Sequence, residues 1–102
     1  MTTKIIENKE KTALVSFSGE LDTTAVNDVR TTLEPLMKDP GKEITLDFSQ
    51  LEYISSAGMR VLLALNKNAT ATNGKVIIKG MREDIKQLFQ LTGFDSIFEM
   101  TE

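Results

Sequence analysis

Along the middle of the chain, Ile44, Leu46 and Phe48 alternate with Thr45 and Asp47, the pattern of a strand with one buried face, here read as residues 43–48. The period then changes. Met59, Leu62, Leu63 and Asn66 recur at helical spacing, with Arg60 and Lys67 directed elsewhere, so a helix is predicted over residues 56–72. Between the two patterns lies a short polar loop holding Ser55, Ser56 and Gly58. Either serine stands where a helix takes its N-cap, and its hydroxyl can accept from amides that the first helical turn leaves unpaired. The same turn welcomes a phosphate, because those amides and the helix dipole both favour negative charge.

Upstream, residues 4–8 and 12–18 read as two strands joined by a turn, the second alternating through Ala13, Val15 and Phe17, and together they form a hairpin. Gly19 is expected to end the second strand. Asp22 or Thr23 then caps an amphipathic helix whose apolar positions are Ala25, Val26, Val29, Leu33, Leu36 and Met37. Pro35 removes an amide from its last turn, and Asp39, Pro40 and Gly41 stop it. Downstream, Asn73 and Gly74 supply a pair able to adopt the left-handed conformation that ends a helix. The run Val76, Ile77, Ile78 between two lysines suits a strand buried on both faces. Residues 82–91 put Ile85, Leu88, Phe89 and Leu91 on one helical side, Thr92 and Gly93 close that helix, and residues 97–100 suit a short edge strand.

Strands that alternate with helices favour a mostly parallel sheet joined by right-handed crossovers. The expected fold is a single layered α/β domain over residues 1–102: four or five strands, an N-terminal hairpin, and three or more packing helices. A chain of 102 residues with 40% hydrophobic and 26% charged residues supports one core and is not disordered.

Charge and chemistry narrow the function. A net charge of −3 without a basic run is not the footprint of a nucleic-acid binder, so any role in transcription passes through a protein partner. The polar N-terminus is no signal peptide, and no apolar run is long enough to span a bilayer, so no membrane insertion is expected and the expected location is the cytoplasm. The absence of histidine removes serine and cysteine triads, and without cysteine as well zinc loses its two commonest ligand types. No calcium-loop spacing, acid/base pair or glycine-rich phosphate cradle stands in their place. The chain is therefore expected to be a binding protein, not an enzyme, with no metal and no cofactor.

Three segments, FSGELD at residues 17–22, ITLDFSQLEYISSAGMRVLL at 44–63 and GFDSIFEM at 93–100, give the chain a resemblance to the STAS family, named for sulphate transporters and anti-sigma factor antagonists. The resemblance covers nearly the whole chain. In antagonist members it implies a switch, in which the unmodified protein sequesters an anti-sigma factor that is also a serine kinase, freeing the sigma factor. That kinase phosphorylates a serine at the helix start, and a serine phosphatase resets it. Alignment on Gly58 places the phosphoacceptor at Ser56, with Ser55 as the second candidate, because Ser55 stands where the family usually carries aspartate. Asp22, Ser55, Ser56, Ala57, Gly58 and Met59 form the expected partner-binding rim. The competing reading is a soluble STAS subunit of a membrane complex for lipid or anion transport.

Overall fold

The computed structural model describes residues 2–101. Among them five strands, β1 (Thr2–Asn8), β2 (Thr12–Leu21), β3 (Glu43–Ile54), β4 (Lys75–Lys79) and β5 (Glu99–Thr101), form one sheet in the order β1-β2-β3-β4-β5. β1 and β2 are the antiparallel hairpin, and every later neighbour is parallel. The crossovers are α1 (Val26–Met37), α2 (Ser56–Ala71) and α3 (Glu83–Thr92).

This strand order decides where the helices go. Each crossover advances the sheet by one strand in the same direction, and right-handed connections that all advance the same way leave all their helices on one face. The burial pattern agrees: Ala13, Val15 and Phe17 on β2, Ile44, Leu46 and Phe48 on β3, and Val76 and Ile78 on β4 form a single core cluster with α1, α2 and α3. Phe17 and Phe48 meet edge to face at its centre, with ring centroids 5.1 Å apart. The opposite face carries no helix among the described residues, so Ile77, expected to be buried like its neighbours, is half-exposed between Thr45 and Glu99. A sheet covered on one side buries alternate residues; the apolar run at β4 was read as a strand covered on both.

Two strands are longer than the alternation implies. β2 runs through Gly19, which adopts φ +93° inside the strand, as far as Leu21. β3 continues to Ile54, where a loop was expected. Its buried positions pass from Phe48 to Leu51 to Ile54, a spacing of three, because two register shifts insert extra β3 residues opposite β2. Such bulges hide a strand from any reading that looks for a period of two.

The helices also differ in detail. The buried face of α2 is Gly58, Met59, Val61, Leu62, Leu65 and Ala69, whereas Leu63 and Asn66 are half-exposed. α1 contains Pro35 and still reaches Met37, whose side chain lies outside the description, and the Lys38 and Asp39 amides both turn onto the Leu36 carbonyl. Leu91 on α3 is 85% exposed, not part of the core face. The last strand begins at Glu99; before it, Phe98 anchors the chain against Phe89 and Phe94, with ring centroids 6.0–6.2 Å apart. Asn73 takes the left-handed conformation at φ +65°, and Gly74 is required because a Cβ there would lie 2.3 Å from the Lys42 carbonyl oxygen.

Candidate functional site

The parallel pairing of β2 with β3 brings their C-terminal ends, Leu21 and Ile54, into register. Each strand then turns directly into a helical start, Asp22 after β2 and Ser55 after β3. The two starts are stitched together, since the Ser55 amide donates to the Leu21 carbonyl at 2.8 Å. Asp22, Ser55 and Ser56 therefore share one edge of the sheet, where loops after parallel strands gather.

Ser55 is extended (φ −85°, ψ 167°) and is the N-cap of α2: its Oγ accepts from the Gly58 amide at 3.0 Å. Its carbonyl also accepts the first intrahelical bond, from the Met59 amide at 2.9 Å. Ser56 is the first helical residue and is exposed, while Ala57 is half-exposed. The two adjacent serines thus occupy different chemical situations. One hydroxyl is held by the backbone; the other faces solvent beside the amides at the positive end of the helix.

Gly58 and Met59 do not face outward with them. A Cβ at position 58 would lie 2.7 Å from Leu21 Cγ and 3.1 Å from the Leu21 carbonyl oxygen, so glycine is what lets the first turn of α2 rest on the end of β2. Met59 is 6% exposed within the core cluster. Both positions shape the rim from below. A side chain buried in its own fold has little surface left for a partner.

Asp22 caps a 3₁₀ turn, Thr23–Ala25, which leads into α1. Its Oδ1 accepts from the Thr24 hydroxyl at 2.7 Å and from the Ala25 amide at 3.0 Å. The Thr24 hydroxyl first, and the Ala25 amide after it, hold the Asp22 carboxyl below its ordinary value of 3.8. Beside it opens a shallow concavity of about 280 Å³ lined by Gly19, Glu20, Asp22, Thr24, Ala25, Asp28 and Glu52, with four carboxylates and no lysine or arginine in its wall. Glu20 and Glu52 escaped the sequence reading because both lie in stretches that it took for loops. Among the described residues no group of three or more His, Cys, Asp or Glu side chains is arranged to hold a metal ion, and no helix is long and apolar enough to cross a membrane. The geometry offers an anionic rim and a free hydroxyl at a helix start, an arrangement suited to protein recognition and to carrying a phosphate.

A β-β-α-β-α-β-α-β order in one sheet, with a serine-bearing helix start at its edge, is the architecture of a known domain family. The chain belongs to the STAS domain family, whose model matches residues 3–102. It is 35% identical over 57 residues to BtrV of Bordetella bronchiseptica, which is named as an anti-sigma factor antagonist; that match covers 56% of this chain and spans about half, 49%, of the relative. It is 25% identical over 88 residues to the anti-sigma-B factor antagonist of Staphylococcus aureus, covering 86% of this chain and 82% of that protein. Among solved structures, the antagonist SpoIIAA in its unphosphorylated form matches with TM-score 0.78 at 20% identity, over 99% of this chain and 88% of the other. An antagonist domain protein from Planctomyces limnophilus matches with TM-score 0.86 at 15% identity, over 98% and 88%.

Proposed function

We propose that this STAS domain is an anti-sigma factor antagonist of the bacterial cytoplasm, which sequesters a serine kinase anti-sigma factor and is released when Ser56 is phosphorylated. One observation carries the assignment of Ser56: the Ser55 hydroxyl is engaged as the cap of α2, whereas Ser56 is exposed at the first helical position. A kinase needs a hydroxyl it can reach, and phosphorylation of Ser55 would remove the acceptor from the Gly58 amide.

The relatives support this class of function, since BtrV and the S. aureus protein both carry antagonist names, and nothing comparable favours the transport-complex reading. SpoIIAA supports the form of the switch. Its phosphorylated form matches this chain with TM-score 0.76 against 0.78 for the unphosphorylated one, so the same fold accommodates both states of that protein. A phosphoserine at this position brings about −1.5 to −2 charges. The helix start tolerates them, whereas a partner docked closely around a neutral serine must desolvate a dianion. Asp22, Ser55 and Ala57 complete the exposed side of the rim, Gly58 and Met59 hold its floor, and a serine phosphatase resets the switch. The domain acts by binding, without catalysis of its own.

The test is incubation with a cognate anti-sigma factor kinase and ATP, followed by phosphopeptide mass spectrometry. Phosphate on Ser56, its absence from a Ser56→Ala variant that still binds, and weakened binding by Ser56→Asp are the expected results. Phosphate on Ser55 overturns the residue assignment, and phosphate on neither overturns the switch.

A further inference from the structure

The helices cover one face of the sheet, and the other face carries a charge pattern of its own. There β3 presents Glu43, Thr45 and Asp47, and the parallel ladder sets Lys75, Ile77 and Lys79 of β4 directly beside them. Read across from β3 to β4, the rows are acid beside base, Thr45 beside Ile77, and acid beside base again. Lys75 Nζ stands 3.9 Å from Glu43 and 3.3 Å from Glu99, yet the Lys75 and Glu43 side chains stay 53% and 43% exposed, so both retain room for a further partner. Leu14 on β2 and Ile77 on β4, each half-exposed, flank Thr45 and make the middle row an apolar strip. The chain carries −3 overall, whereas on this face β3 and β4 contribute two charges of each sign, so a second copy meets no net repulsion here.

Symmetry decides whether two such faces attract, since a closed dimer of identical chains is related by a two-fold axis. With two sheets face to face, an axis along β3 sets Glu43 and Asp47 against themselves. An axis across the strands, through the row of Thr45 and Ile77, sets Glu43 against Asp47 and Lys75 against Lys79. An axis along the strands, midway between β3 and β4, lays β3 of each copy over β4 of the other at the same height. Glu43 then meets Lys75 and Asp47 meets Lys79, each twice, around Thr45 and Ile77. We infer that the uncovered face of the sheet is a self-association surface, on which a second copy of this chain docks about that axis with β3 over β4. The contact is small. Four strands spaced about 4.8 Å apart and five residues of about 3.3 Å each give about 300 Å² per copy, against about 800 Å² in a stable complex, so the dimer is weak and forms at high local concentration. Because the axis runs along the strands, both copies point the C-terminal ends of β2 and β3 the same way. The dimer therefore presents its two Ser56 edges at one end and leaves them uncovered.

The test is sedimentation equilibrium and 15N–1H spectra of the whole chain between about 0.05 and about 1 mM, with the folding of each variant verified by its melting curve. A monomer–dimer equilibrium weakened by salt is expected, with amide shifts that grow with concentration at Thr45, Asp47, Ile77 and Lys79 and leave α1 and α2 in place. Glu43→Lys and Lys75→Glu each replace two attractions by two repulsions and are expected to weaken self-association about tenfold. Mixed in equal amounts, the two variants are expected to associate with each other within about threefold of the wild-type affinity, because the acids of one then face the bases of the other. A wild-type chain that stays monomeric to about 1 mM, a dimer indifferent to both charge reversals, or a pair of variants that fail to rescue each other overturns the surface. None of these measurements involves a kinase, so the outcome is independent of the function proposed above.

Discussion

Gly58 separates two physical roles that a glycine at a helix start can play, and its replacement by alanine distinguishes them. If the missing side chain leaves room for a partner, Gly58→Ala keeps its stability and loses binding; if it lets the fold close on itself, stability falls first. The structure favours the second. An added Cβ meets Leu21 Cγ at 2.7 Å, Leu21 Cδ2 at 3.1 Å and the Leu21 carbonyl oxygen at 3.1 Å. Leu21 is fully buried, and its carbonyl is already bound by the Ser55 amide, so neither the side chain nor the backbone retreats freely. Overpacking of this kind costs about 2 kcal/mol at the middle of its range, from which the better helix propensity of alanine returns about 1 kcal/mol, leaving a net loss of about 1 kcal/mol. For a domain of this size that is a fall in Tm of about 4–8 °C. Calorimetric and urea melts of Gly58→Ala beside wild type and Ser56→Ala make the measurement, the exposed serine variant being expected within about 0.5 kcal/mol of wild type. A Tm for Gly58→Ala equal to or above wild type refutes the close-packing argument and returns Gly58 to the partner surface.

Two further predictions address the caps. Ser55→Ala should lose about 1 kcal/mol by freeing the Gly58 amide, while Ser55→Asp, which keeps an acceptor at the N-cap, should melt close to wild type; a fully stable Ser55→Ala denies Ser55 its capping role and, with it, the reason for assigning the phosphate to Ser56. The hydrogen bonds from Thr24 and Ala25 depress the Asp22 carboxyl in the folded state, so its charged form favours folding above the unfolded value near 3.8, and that contribution disappears as pH falls through the lower folded value. The advantage of wild type over Asp22→Ala in urea melts should therefore be present at neutral pH and shrink in acid, and a 13C titration of the Asp22 carboxyl should find its midpoint below 3.8; a midpoint at or above that value contradicts the hydrogen-bonded geometry.

Much of this protein is legible in one dimension. Alternation at residues 12–18 and 43–48, helical spacing after Ser56 and the apolar run at β4 each report which side of a local segment avoids water, and they fixed the order of elements and a mostly parallel sheet. The same local signal placed Asp22 and the serine pair at two strand-to-helix junctions, and parallel pairing then had to gather those junctions at one edge. Periodicity carries no information about what lies opposite. That all three helices share one face follows from the strand order, and the half-exposure of Ile77 follows from that. The last six residues of β3 are a strand only because β2 supplies partners across two bulges, so their period of three has no meaning in the isolated sequence. Likewise, two neighbouring serines are equivalent candidates until helix geometry gives the Gly58 amide to Ser55. Gly58 meets Leu21, and Tyr53 meets Glu20, across more than thirty intervening residues. Local propensity acts over a few residues, while register and close approach are set by backbone pairing between distant segments, and for that reason only the tertiary structure decided which residues of the rim are buried, which cap a helix and which stand exposed.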